Sequence, residues 1–241
     1  MHDTVMKKHI TNIATTAAAV VLSTGLQAGE VVTQPMAPPV SAATCPWEIT
    51  ASALYLKAHS NEDQFNDQDQ EFGYRLEVAY QNGGIGYRLR YFDWEGTGGS
   101  SDDYPEMTAC DLEAFDGFQL GGWDGEYAVG IRYATYEEDY DNYADFSGWG
   151  PTLGIELTHG LSGAFSVYAE GRASLVYGDD DDNYDDSFVP ILELGAGIQY
   201  DINDCTYVRL GFEAQNWASI SSNDNEDTGL FGGALEVGFG W

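Results

Sequence analysis

The six arginines of this chain stand in a pattern that could line an enclosed, charged space. Residues 72–80 read FGYRLEVAY and residues 85–91 read IGYRLRY, so each arginine there has apolar neighbours on both sides. Successive side chains of a β-strand point to opposite faces, which places the arginines opposite the apolar set. The same rule predicts one shared charged face for Arg75, Arg88, Arg90, Arg132, Arg172 and Arg209.

Carboxylates stand at positions that could pair with these arginines. Antiparallel pairing predicts Glu113 beside Arg132, with Glu156 in reach of the same arginine. It also pairs Glu77 with Arg88 or Arg90, Glu193 with Arg172, and Glu236 with Arg209, and each register could slip by two residues. The predicted lining residues are Arg75, Glu77, Arg88, Arg90, Glu113, Arg132, Glu156, Arg172, Glu193, Arg209 and Glu236.

Two interpretations of this charged lining remain open. Rings of charged side chains select ions in pores, which favours a narrow conducting lumen. Enclosed charges also pair with one another because an unpaired one is costly, which favours a closed lumen filled by ion pairs. Barrels of about eight strands are filled by side chains, while open aqueous channels need about sixteen.

Catalytic and metal chemistry have little support. Only His59 and His159 follow the N-terminal region, and His59 alone has Ser60 and acidic residues beside it. The three cysteines, Cys45, Cys110 and Cys205, share no C-x-x-C spacing. We therefore expect no enzyme, no catalytic residue, no cofactor and no metal centre built from His and Cys.

The segments that would position the charged face repeat along the chain. Alternating patterns predict ten strands, at residues 47–58, 71–81, 85–94, 111–121, 123–137, 148–159, 163–177, 188–200, 205–217 and 229–241. Long acidic connections follow the odd-numbered strands and short turns follow the even-numbered ones. This sorting is typical of a transmembrane antiparallel up-and-down β-barrel with its long loops outside the cell. The fold class is therefore all-β.

The N-terminal region reads as a targeting segment. Residues 6–28 place Lys7 and Lys8 before a short apolar run that ends at Leu26-Gln27-Ala28, as a secretory signal peptide does. We predict a signal peptide at residues 1–28, cleaved near Ala28, a flexible periplasmic leader at 29–46, and an outer-membrane barrel at 47–241.

The net charge of −31 excludes nucleic acid as a partner, because no basic patch can displace phosphate counterions. The acidic run from Asp179 to Asp186 has two interpretations. It could hold divalent cations that bridge to lipopolysaccharide, or it could form a solvated, repulsive exterior.

The chain ends with LEVGFGW, in which Phe239 and Trp241 occupy alternate positions. This ending resembles the C-terminal signal that the barrel-assembly machinery recognises. All six tryptophans lie near predicted strand ends, as interfacial aromatic girdles would require. Asp116 does not fit the alternation, which predicts either a β-bulge or a shifted membrane boundary there.

Several segments, in matching order, resemble the Legionella-type major outer membrane protein family. They include FGYRLEVAYQNGGIGYRLRYFDW, GIRYATYE, and the stretch from SLVYG to LGFEAQNW. The resemblance implies a pore-forming outer-membrane barrel and no catalytic residues. We expect a narrow pore for ions or small hydrophilic solutes, with outer-membrane lipid and lipopolysaccharide as surroundings. The alternative is a closed structural or adhesive barrel that acts through its acidic exterior loops.

The cysteines test the topology. Cys45 and Cys205 are expected at the periplasmic rim, where a disulfide between them is possible. Cys110 is expected on an exterior loop, out of reach of both because a disulfide needs Cα atoms within about 7 Å.

Overall fold

The computed structural model describes residues 45–60, 69–96, 105–138, 146–180, 187–221 and 226–241. The predicted signal peptide lies outside these residues, as does the predicted leader apart from Cys45 and Pro46. Most of each acidic connection also lies outside them, and so do the predicted cation-binding residues Asp181, Asp182, Asp185 and Asp186.

The described chain forms ten β-strands. Their bounds are β1 Trp47–Ser60, β2 Glu71–Tyr80, β3 Gly86–Glu95, β4 Pro105–Leu120, β5 Trp123–Glu138, β6 Phe146–Ser162, β7 Phe165–Asp180, β8 Ser187–Asn203, β9 Thr206–Ser221 and β10 Glu226–Gly240.

Each strand pairs antiparallel with its neighbours in sequence, and β1 pairs with β10 to close the barrel. Closure leaves no free sheet edge, which is the condition for a sheet to lie in lipid. The predicted fold class is confirmed. No helix in the described part of the chain is long and apolar enough to cross a membrane.

Alternation explains which face each strand presents. Phe72, Leu76 and Leu89 point outward with 73%, 48% and 52% of their surface exposed. Arg75 and Arg88, which directly precede the two leucines, are buried. Outward aromatic rings pair across neighbouring strands at two levels, as in Tyr55 with Phe72 and Phe165 with Tyr200. An apolar band between two aromatic girdles is the outer surface expected of a barrel in lipid.

Short turns join the even-numbered strands to the next strand, and they lie at the rim that also holds the barrel's termini. The β4–β5 turn consists of Gly121 and Gly122, with φ angles of +57° and +88° that favour glycine. We call this end the turn rim and the opposite end the loop rim. In outer-membrane barrels the turn rim faces the periplasm.

Strand β4 corrects two predictions. It begins at Pro105 instead of residue 111, so Cys110 lies within the strand and not on an exterior loop. Its pairings with β3 and β5 run without a register shift, so there is no bulge at Asp116. The last β3–β4 pair is Gly86 with Phe115, so Asp116 faces outward just beyond the end of β3. The bulge prediction is therefore wrong, and the shifted membrane boundary stays a prediction.

Candidate functional site in the barrel lumen

The lumen holds a network of ion pairs around Glu193 and Asp111. Arg90 donates hydrogen bonds to Glu193 at 2.7 Å and to Asp111 at 3.1 Å. Arg132 donates to both oxygens of Asp111 at 2.6 and 2.7 Å and contacts Glu193 through its other terminal nitrogen. Arg75 approaches Glu193 at 3.9 Å and binds Glu213 with both terminal nitrogens. All six side chains are buried, so each charge depends on its partners.

A second cluster centres on Glu113, which is 1% exposed. Arg88 donates to it from Nε at 2.9 Å, and Arg172 donates from Nε at 2.9 Å and Nη2 at 3.0 Å. Arg88 also reaches Glu126 at 2.8 Å and Glu77 at 3.3 Å. One carboxylate thus joins arginines from β3 and β7, which lie on different sides of the barrel.

Arg209 forms a third cluster, nearer the turn rim. It binds Glu236 at 3.3 Å, Gln199 at 2.7 Å, and Glu156 from its other terminal nitrogen. Its guanidinium lies 4.7 Å and 4.8 Å from the ring centroids of Tyr168 and Tyr207. Such stacking adds a cation–π attraction to the ion pairs.

Some of the predicted ion pairs are present in the structure and others are not. Glu236 lies opposite Arg209 and binds it, and Glu77 lies opposite Arg90 and binds Arg88. The predictions for Arg132 are wrong, because Asp111 instead of Glu113 lies opposite it. Glu156 binds Arg209 across the lumen instead of Arg132.

The pairing of Glu193 with Arg172 is also corrected. The two residues lie opposite one another in the register, yet Arg172 forms its ion pair with Glu113. Contacts across the lumen thus replace two of the expected contacts between neighbouring strands. Strand register alone cannot reveal such contacts.

The predicted lining set did not include five acidic residues of the lumen: Glu48, Asp111, Glu126, Glu170 and Glu213. All except Glu48 stand two, four or six residues from a predicted lining residue on the same strand, so the alternation itself could have found them. Asp111 was missed because β4 was predicted to begin there.

A cavity of 220 Å³ lies among these charges. Its wall includes Glu48 and Tyr207 near the turn rim and Glu170 and Glu213 deeper in the barrel. The carboxylates Glu126 and Glu156 keep 30% and 27% of their side-chain surface exposed. Carboxylates outnumber arginines in this wall, so the cavity is polar and carries a net negative charge. We call it the inner cavity.

The loop-rim side of the lumen has a different lining. Along β3 the inward side chains change from Arg88 and Arg90 to Phe92 and Trp94, and along β9 they change to Trp217. Together they form what we call the apolar layer: Leu54, Leu56, Ala58, Phe92, Trp94, Met107, Ala109, Ala134, Tyr136, Phe146, Val176, Val189, Ile191, Trp217, Ile220 and Leu230.

The apolar layer fills the lumen at its level. Leu54, Leu56, Trp94, Met107 and Trp217 each have no exposed surface. The layer receives side chains from every strand except β2, so it packs across the full cross-section. The girdle interpretation of the tryptophans is therefore wrong for Trp94 and Trp217, which face the lumen. Trp47, Trp149 and Trp241 do face outward.

The remaining candidate residues lie apart from the lumen network. His59 is the last residue but one of β1, near the loop rim. His159 lies near the turn rim, where its Nδ1 is 2.7 Å from the carbonyl oxygen of Gly122. The described residues contain no group of three or more His, Cys, Asp or Glu that could hold a metal ion. Phe239 and Trp241 face outward at the end of β10, with stacked rings.

Cys45 and Cys205 form a disulfide with Cα atoms 6.0 Å apart, the bridge that the sequence allowed. Cys110 is a free thiol. It alternates with the inward residues Ala109 and Asp111 and therefore lies on the outward face of β4.

Strand number, closure, outward apolar band and enclosed charges define an outer-membrane β-barrel. The family described as "Legionella pneumophila major outer membrane protein precursor" matches residues 110–231, and the chain belongs to it. No curated protein matches the chain in sequence.

Similar solved structures share little sequence with this chain. Neisserial surface protein A is 10% identical, with a TM-score of 0.43, and the match covers 81% of this chain and 97% of that one. The CymD monoaromatic hydrocarbon channel is 8% identical, with a TM-score of 0.41 and coverages of 81% and 88%. The N-terminal barrel domain of Pseudomonas aeruginosa OprF is 12% identical, with a TM-score of 0.30 and coverages of 80% and 97%.

Proposed function

We propose that this outer-membrane protein is a closed barrel that acts at the cell surface, as a structural or adhesive protein, through its acidic exterior loops. The apolar layer is the observation that supports the proposal. Fully buried apolar side chains from nine strands pack together at that level, and such packing opposes the passage of hydrated ions. The layer also consists of strand side chains, so opening it would require repacking a close-packed core.

The loop sequences support a surface role. Residues 61–68, 97–104, 139–145, 181–186 and 222–225 contain acidic residues in every segment and neither Lys nor Arg. Such loops either repel neighbouring anionic surfaces or bind them through divalent cations. Contact with lipopolysaccharide through bridging cations is part of the proposal.

A narrow pore is the second candidate, and the inner cavity favours it. A polar space of 220 Å³ lined by Arg88, Glu126 and Glu156 resembles the charged vestibule of a channel. For conduction the apolar layer would have to open. Because carboxylates are in excess, an open lumen should prefer cations at low salt.

Recording from planar bilayers separates the two candidates. The closed barrel predicts no discrete conductance steps from folded wild-type protein. It predicts steps after Trp94→Ala and Trp217→Ala are combined, because this removes the two largest side chains of the layer. Phe212→Ala with Leu89→Ala, which both face lipid, is the matched control and should stay silent. Regular steps from the wild type, with a reversal potential favouring cations, would replace the closed barrel with the pore.

The surface role has its own test. Changing Asp181, Asp182, Asp185 and Asp186 to Asn should weaken calcium-dependent binding of the protein to lipopolysaccharide vesicles. The difference in gel mobility between boiled and unboiled samples should persist, since the barrel wall is untouched. Unchanged binding would argue against cation bridging by this loop.

A further inference from the structure

The disulfide lies across the end of the last strand. Cys45 precedes β1 and Cys205 precedes β9, while Gly240 of β10 lies between them. The backbone N–H of Gly240 donates to the carbonyl oxygen of Cys205 at 2.6 Å. A Cβ at Gly240 would stand 2.8 Å from that of Cys45, so only glycine fits beneath the bridge.

The bridge also borders the line along which the barrel closes. Strand β1 pairs with β10 from Glu48 opposite Gly240 to Ser60 opposite Thr228. At the turn rim Trp47 N–H donates to the carbonyl of Trp241 at 3.3 Å, and Trp241 N–H donates to that of Trp47 at 3.0 Å. The bridge therefore joins the two strands that flank β10, one of which is its closing partner.

We propose that the Cys45–Cys205 bridge is a closure staple, formed in the periplasm before β1 pairs with β10. The two thiols are oxidised to one disulfide. Their two electrons and two protons pass to the disulfide of a periplasmic thiol–disulfide oxidoreductase, which is reduced to a dithiol. Oxidation by an enzyme of this class thus precedes barrel closure, and the barrel-assembly machinery receives a chain in which the start of β1 is already linked to the start of β9.

Chain length gives the physical reason for this order. Ala53 and Leu235 pair across the seam although they are 182 residues apart in sequence. With the bridge in place the connecting path shortens to 38 residues, 8 from Cys45 to Ala53 and 30 from Cys205 to Leu235. Loop closure probability falls with about the three-halves power of length, so the bridge should favour closure about tenfold.

Refolding into detergent micelles tests the effect on closure. The full mature chain carrying Cys110→Ser, which prevents mispairing, is unfolded in urea and then diluted in oxidised or reduced form. Folding is followed on gels of unboiled samples, where the folded barrel runs as a separate, heat-resistant band. The oxidised chain should fold about tenfold faster, and Cys45→Ser or Cys205→Ser should behave like the reduced chain at any redox state. Equal rates for oxidised and reduced protein would overturn the proposal.

Pulse-labelling in cells tests the order of events. Newly made protein is trapped with acid and an alkylating reagent, and its disulfide and its heat resistance are scored in the same samples. The staple predicts bridged chains that are not yet heat-resistant. If the bridge is found only in heat-resistant protein, oxidation follows closure and the proposal fails.

Discussion

The two halves of the lumen are filled by opposite kinds of side chain. Near the loop rim the inward side chains are apolar, and Leu56 and Trp94 have no exposed surface. Near the turn rim they are charged and surround a cavity of 220 Å³. A barrel of ten strands leaves an interior that must be filled, either by packed carbon or by paired charges and water.

Because they are filled by different side chains, the two halves of the lumen have different roles in the structure. The apolar layer packs side chains across the lumen, and the proposed closed barrel depends on this packing. The charged half links distant strands, since Glu113 joins β3 to β7 and Glu193 joins β8 to β3 and β5. Substitutions in each half should therefore have different consequences.

Removing the central carboxylate should have the largest effect. Glu193→Ala leaves Arg90 and Arg132 sharing Asp111 alone, and breaking a buried pair costs about 3–5 kcal/mol. Urea unfolding in detergent measures the loss, and Glu106→Ala at the exposed end of β4 is the control. If Glu193→Ala lowers the free energy of unfolding no more than the control does, water reaches this network freely.

Opening a space in the apolar layer comes next. Leu56→Ala should lower the free energy of unfolding by about 2–5 kcal/mol, as expected for a large-to-small change in a packed core. The same change at the lipid-facing Leu89 should cost much less, because lipid fills the space. Equal losses at both positions would show that the layer is loosely packed.

A smaller effect is expected beside the inner cavity. Glu236→Gln should cost no more than about 1 kcal/mol, because Arg209 keeps its ion pair with Glu156 and the amide can still accept from Ser52. Glu113→Gln makes the same change at a fully buried site and should cost about 1.5–3 kcal/mol. If the two variants unfold alike, the difference in burial between these two carboxylates of the charged half does not decide the cost.

The smallest effect is predicted outside the lumen. Cys110→Ser should change stability by no more than about 0.5 kcal/mol, because the thiol makes no lumen contact. On intact cells a membrane-impermeant thiol reagent should fail to label Cys110, since its position on the outward face of β4 turns it towards lipid. Labelling would place this level of β4 above the membrane.

The alternation of single strands was enough to predict the fold. Segments such as FGYRLEVAY show which side chains point outward, and the sorting of connections shows how the strands are joined. The positions of the predicted lining residues follow from the same rule. Their partners do not, because Glu156 and Glu113 bind arginines on strands that are not their neighbours.

The sequence by itself therefore determined the barrel, the order of its strands and the inward direction of its charges. It could do so because period-two alternation and loop length are local properties. Only the tertiary structure decided that the outer half of the lumen is apolar and filled. Trp94 and Trp217 stand near strand ends in the sequence, where a girdle residue and a lumen residue look alike. Whether such a tryptophan lies in the girdle or in the lumen depends on the face of the strand that carries it. It also depends on which side chains from strands across the barrel lie at the same level.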